Sequence, residues 1–236
     1  MNLRAVIIDE PIHTYDEQAC KLWQKTMWVK ELGYRGSYKS AFLPIGTDDF
    51  FGTHLIVANE LPNGELDPVA MYKSVRKSQA ERFRVPFGVV AMLASTPYKD
   101  SPDLLKIINN GEEISYDSAW TINPAYKKDK EFSQLLRDFM TMFACNYHLS
   151  FGFNRWLSGG AKQFKVGDYF KWLGGQQIMP DFELLNFDNQ VIQLIYIENT
   201  NNVPPEVLEV KKRMEMFWRT RIIYAPQESK VIKVAV

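Results

Sequence analysis

Residues 118–136, SAWTINPAYKKDKEFSQLL, run from a strand through one proline-marked turn directly into an amphipathic helix. Upstream, Ile114, Tyr116, Ser118, Trp120 and Ile122 alternate as one face of a strand. Downstream, Phe132, Leu135, Leu136, Phe139, Met140 and Phe143 keep the spacing of one broad apolar stripe on a helix. Lysines crowd the turn between them. A strand-to-helix corner can hold a phosphate on the first N–H groups of its helix, and such corners usually carry glycine so that the ligand reaches the backbone. This one has none, which leaves two readings open, a phosphate cradle and a solvated turn.

Before this corner, LRAVIID at residues 3–9 predicts a first strand, and residues 16–32 place Ala19, Leu22, Trp23, Thr26, Met27 and Leu32 at helical spacing with Gly33 as the stop. A strand centred on residues 55–58, the turn LPNGEL and the strand PVAMYKSVRKS read as a hairpin. Residues 80–110 are rich in loop signals and hold one short helix at SPDLLKIIN, with Ser101 as cap and Pro102 in its first turn. After the long helix, HLSFGF predicts a short strand, and LSGGAKQFKVGDYFKWLGG predicts a polar loop and a short helix ended by glycines. Two more strands follow near QQIMPDFELL and NQVIQLIYIE. A last amphipathic helix carries Val207, Leu208, Lys211, Met214, Phe217 and Trp218, and the tail reads as a strand or a packed extension. With no repeat, low-complexity tract or linker, the expectation is one domain over residues 1–236 with a C-terminal helical extension from about 204.

Composition narrows the function classes. Hydrophobic residues make up 46% and charged residues 24% of the 236, ordinary for a globular protein. Twenty-eight basic and 28 acidic side chains cancel, so no global field recruits nucleic acid or an anionic membrane. The N-terminal apolar run is too short for a signal peptide, and no apolar stretch reaches the roughly 18 residues of a spanning helix. A cytoplasmic location and no stable membrane insertion are expected. Cys20 and Cys145 have no neighbouring ligand at metal spacing and read as free buried thiols, and no metal is expected.

The order of strand, helix, hairpin, long strand with corner helix, strand, short glycine-ended helix and two strands resembles the GNAT acyltransferase fold. In TINPAYKKDKEFSQLL, Pro124 and Tyr126 fall where that family has its strand-end proline and tyrosine, Lys127 takes the usual basic position, and Lys130 and Phe132 stand in place of two glycines. VGDYFKWLGG is similar to the family's short helix, with Phe170 aligned to its catalytic tyrosine and Tyr169 beside it. The absence of the glycines, with GTDDFFGTHLIVANE, PVAMYKSVRKS and EEISYDSAWTI, resembles the autoinducer synthase and N-acyl amino acid synthase branch over residues 15–197.

The resemblance implies an α/β (α+β) fold, a GNAT-like mixed, splayed central sheet flanked by helices. It implies an N-acyltransferase whose donor is acyl-CoA or the acyl-4'-phosphopantetheine of an acyl-carrier protein, and whose acceptor is a small-molecule amine such as an amino acid. The pantetheine would pair with the strand edge at Trp120, Thr121 and Ile122, and Lys127, Lys128 and Lys130 would meet phosphates or the acidic surface of the carrier. Glu113 is expected to relay the amine proton and Tyr169 to act as general acid.

Other residues keep two readings each. Asp48 and Asp49 stand where carboxylates hold an ammonium group, and equally where Asp serves as a turn residue. Arg76 can pair with those carboxylates, hold a substrate carboxylate, or belong to a solvated charge run. Ser118 lines an acyl-donor groove or packs on a helix, and Glu113 is equally an exposed strand-edge residue. His54 and His148 read as structural. The 15 phenylalanines and nine methionines serve the core or a fatty-acyl tunnel. The alternative to an enzyme is a GNAT-like binding module that kept the fold and lost the chemistry.

Overall fold

The computed structural model describes residues 1–38, 45–127, 130–185 and 187–226. In chain order the elements are β1 (Leu3–Asp9), α1 (Glu17–Arg35), α2 (Asp48–Phe51), β2 (Thr53–Glu60), β3 (Leu66–Arg76), α3 (Lys77–Arg82), α4 (Gly88–Leu93), α5 (Pro102–Ile108), β4 (Ser115–Ile122), α6 (Lys130–Ser150), β5 (Trp156–Ala161), α7 (Val166–Trp172), β6 (Gln176–Gln177), β7 (Phe182–Leu184), β8 (Gln190–Ile197), α8 (Pro205–Arg213), α9 (Glu215–Arg219) and β9 (Ile222–Tyr224).

The strands form one mixed sheet in the order β6-β8-β5-β4-β3-β2-β1-β9, with β7 also on β8. Pairing is antiparallel from β1 to β4, parallel between β4 and β5, antiparallel between β5 and β8, and parallel where β9 joins β1. Helices cover both faces. One face packs Leu22 and Met27 of α1 on Val6, Ile56 and Met71, and packs α2–α5 on Val75, Tyr116, Leu157 and Leu194. The other packs Leu136, Phe139 and Phe143 of α6 on Leu55, Val57 and Tyr72, with Phe170 of α7 and Val207 of α8 beside Trp156 and Ile195. The stripe read from the sequence of α6 is the buried one.

Five local expectations change. Gly33 does not stop α1, which runs on to Arg35, because α1 crosses β4 closely there. A Cβ on Gly33 would stand 2.3 Å from Thr121 Cγ2. HLSFGF is not a strand: α6 continues through Ser150, and the next strand is β5, WLSGGA, inside the stretch read as a polar loop. The last helix is broken at Met214 into α8 and α9, and Cys20 is exposed whereas Cys145 is buried.

The fifth change reaches the site. The alternation through β4 is interrupted at Ala119, which has φ +59°. Lys73 pairs with Ser118 and Met71 with Thr121, so two steps on β3 match three on β4, a bulge. Tyr116 therefore packs on the α1 side of the sheet, and Trp120 and Ile122 pack on the α6 side.

The α1–β4 crossing gives a test. In an ordinary helix interior Gly→Ala gains about 1 kcal/mol. Here we expect Gly33→Ala to lose about 1–3 kcal/mol through overpacking against Thr121, and Thr121→Ser in the same chain to recover part of the loss. Urea melts of the three variants measure both.

Candidate functional site

β4 and β5 pair only through Ser115, Tyr116 and Asp117 against Trp156, Leu157 and Ser158. Beyond that, residues 118–122 and 159–161 part, each still held to its outer neighbour, β3 or β8. A buried knot marks the closed end. Asp117 accepts from Ser74 Oγ at 2.6 Å and Ser115 Oγ at 2.9 Å, and its Oδ2 lies 3.0 Å from His148 Nε2. Ser158 Oγ donates to the Asp117 carbonyl at 2.8 Å, and the His148 ring stacks on Trp156 at 5.0 Å. All these polar side chains are buried, and together they tie β3, β4, β5 and α6 at the point where the fork begins.

The fork opens into a cleft of about 820 Å³ lined from both faces of the sheet. On the α6 side the wall carries the polar and charged Lys127, Ser133, Arg137, Lys165, Asp168 and Tyr169 beside apolar Trp120, Ile122 and Met140. Tyr169 Oη lies 2.8 Å from Thr141 Oγ1, and the Arg137 guanidinium sits 5.1 Å from the Tyr169 ring centre and 5.3 Å from that of Trp172. Burial raises the Tyr169 phenol above its ordinary range, so it stays protonated. Trp120 stacks on Tyr72 at 4.1 Å, and its buried indole N–H meets no acceptor among the described residues.

On the α1 side the wall is mostly apolar, with Met92, Tyr116, Leu184, Phe187 and Ile192 beside Tyr34. Next to it lies a buried ionic cluster. Asp49 is fully buried: Lys30 Nζ donates to both its oxygens at 2.8 and 2.7 Å, Lys73 Nζ lies 3.0 Å away, and the Gly46 N–H donates at 2.8 Å. Burial alone would raise the Asp49 carboxyl, but Lys73 and Lys30 hold it well below the usual range. Lys30 is pushed down to about 8 by burial and by Lys73. Asp48 is the outer member, with its side chain 37% exposed and Lys73 at 2.7 Å. The Asp48 charge adds to the burial that raises the phenols of Tyr116 and Tyr34.

The sequence-expected residues divide by place. Ser118, Trp120, Thr121, Ile122, Lys127 and Tyr169 line the cleft. Lys130 is exposed at the start of α6, and Lys128 lies outside the described residues. Glu113 sits two residues before β4, at the closed end, where its Oε1 accepts from the Ser78 and Ile114 N–H groups at 3.2 Å each. Arg76 does not pair with Asp48 or Asp49 in the bonds described: its Nη2 donates to Asp9 at 3.1 and 3.2 Å. Sequence reading missed Arg137, Thr141, Met92 and Gly159. Arg137 was within reach of it, one turn after Ser133 on the first turns of α6; the others carried no local signal. No group of ligands for a metal ion occurs among the described residues, and no helix there is long and apolar enough to cross a membrane.

No protein-family model matches the chain, and no curated protein matches it in sequence. Solved structures do match in fold. The N-acyl amino acid synthase FeeM from uncultured soil microbes superposes with a TM-score of 0.54 at 11% identity, over 91% of this chain and 98% of that one. The CoA-dependent acyl-homoserine lactone synthase BjaI, solved with MTA, gives 0.50 at 11% identity, over 95% and 93%. The chain shares the fold of these two synthases, a mixed sheet flanked by helices.

Stability depends on pH through His54, next to the ionic cluster, whose Nε2–H donates to the Asp49 carbonyl at 2.7 Å while its buried Nδ1 meets no partner among the described residues. Burial lowers its pKa from 6.5 to about 4. Between those values the unfolded chain binds the proton and the native chain does not, so stability falls as pH drops through that window, by about 3 kcal/mol in all. His54→Gln keeps a donor and should remove that part of the slope. Urea midpoints from pH 4 to 8 measure it, and equal slopes in both proteins would exclude His54 as the source.

Proposed function

We propose that the chain is an N-acyltransferase that passes an acyl group from a pantetheine thioester, on CoA or on an acyl-carrier protein, to the amine of a small acceptor such as an amino acid. The fork between β4 and β5 carries this reading. A strand edge without its neighbour offers N–H and C=O groups to a ligand that itself bears amides, and the pantetheine arm is such a ligand. The cationic wall of Lys127, Arg137 and Lys165 suits its phosphate end, with Lys130 close by in sequence. FeeM and BjaI, named as acyl-transferring synthases, share the fold.

The chemistry assigns a role to each of two groups. The acceptor must lose a proton before its nitrogen can attack the thioester carbon. Asp49 is saturated by Lys30, Lys73 and Gly46. Asp48 is not among the residues lining the cleft, but its charge acts on Tyr34 and Tyr116 of the wall, and its exposed edge can hold the ammonium group and take its proton. Attack forms the C–N bond, the newly bonded nitrogen gives its second proton to solvent, and collapse of the tetrahedral adduct breaks C–S. The departing thiolate takes the proton of Tyr169, which burial keeps in place until then, and solvent returns a proton to the phenolate. Glu113 and Arg76, at the closed end of the fork, are left out of this reading.

Mass spectrometry of small molecules from cells overproducing the protein should reveal N-acylated amines, reduced on the order of 100-fold or more in Tyr169→Phe and in Asp48→Asn. Saturation with the true donor at 100 times its dissociation constant should stabilise the fold by about 2.7 kcal/mol. Absence of product together with no thermal shift from CoA, acyl-CoA or acyl-carrier protein would overturn the reading.

A further inference from the structure

We propose that Met92 and Tyr116 form the end wall of an acyl chamber and set the length of the acyl chain that the cleft accepts. This rests on the acyltransferase reading above. The two halves of the cleft differ in chemistry: charges line the α6 side, and Met92, Leu184, Phe187 and Ile192 line the α1 side. A donor with phosphate at one end and an acyl chain at the other therefore has one favourable orientation, with the chain pointing to the α1 side.

The geometry at the fork places the wall. Gly159 is the first β5 residue past the last β4–β5 pair, so a chain turning from the fork into the α1 side passes its bare backbone. Across from it, Tyr116 Oη donates to Met92 Sδ at 3.2 Å. A Cβ on Gly159 would stand 2.9 Å from Tyr116 Oη and 3.3 Å from Met92 Sδ. The hydroxyl is thus turned onto the thioether. Behind the pair, Val89, Leu93, Ile114 and Leu157 are packed with no exposure, and an alkyl chain stops there. Met92 is only half-buried and its side chain is unbranched and flexible, so truncation lengthens the chamber at small cost to the fold.

The test reads binding, using a series of non-hydrolysable S-alkyl pantetheine thioethers from ethyl to tetradecyl, titrated calorimetrically into the wild type, Met92→Ala, Met92→Leu and Gly159→Ala. Affinity should rise by roughly fourfold per methylene until the wall is reached, then level off. Met92→Ala should move that limit outward by roughly three methylenes, the heavy atoms removed; Gly159→Ala should move it inward, and Met92→Leu should leave it in place. Should Gly159→Ala fail to fold, the two Met92 variants carry the comparison. One limit shared by wild type and Met92→Ala would overturn the proposal while leaving the acyltransferase reading intact. Failure of every thioether to bind the wild type would overturn both.

Discussion

A sheet interior leaves few strand edges without partners, because each buried N–H and C=O that goes unpaired forfeits its hydrogen bond. β4 is paired with β3 on one side along most of its length and with β5 on the other for three residues only. The site is built on that inequality. Two features sustain it: the buried knot around Asp117 and His148 clamps the strands where they still touch, and the bulge at Ala119 turns β4 immediately past the clamp. The gap between them lets α1-side and α6-side residues line one space through the sheet.

The ionic cluster beside the cleft shows a different economy. Two buried lysines share Asp49, and only Asp48 reaches solvent. A buried pair of this kind adds little net stability over an apolar one, but removal of one member strands a charge. Its effect is to fix positions, holding α1, α2 and β3 in register beside the cleft.

Legibility in the sequence follows from how local each cause is. The last turn of α6, residues 148–150, reads as strand, but the apolar period over residues 132–143 survives any neighbour, so that part of the helix could be read directly. β5 could not, because WLSGGA takes its Ser and Gly residues from distant demands: Gly159 faces Tyr116, and a Cβ on Gly160 would meet Val166 at 2.5 Å. Without that context, glycines read as loop. Gly33 misled for the same reason, since its cause lies on β4. Among the expected site residues, those on β4 and its corner mostly reach the cleft, since one strand carries them. Asp48 and Asp49 could be named from sequence as a carboxylate pair, but Lys30, 19 residues before Asp49, gave no sign that it would saturate the inner one.

Ala119 carries the widest consequence. A single extra residue, of a type that announces nothing, reverses which side of the sheet Trp120 and Ile122 occupy relative to Tyr116. Had the strand stayed regular, all three would have faced α1, and the α6 side would have lost two of its apolar anchors. In genetic terms the difference between those two walls is one codon, the smallest in-frame insertion, so a change of that size can rebuild an entire binding surface while every neighbouring residue keeps its identity.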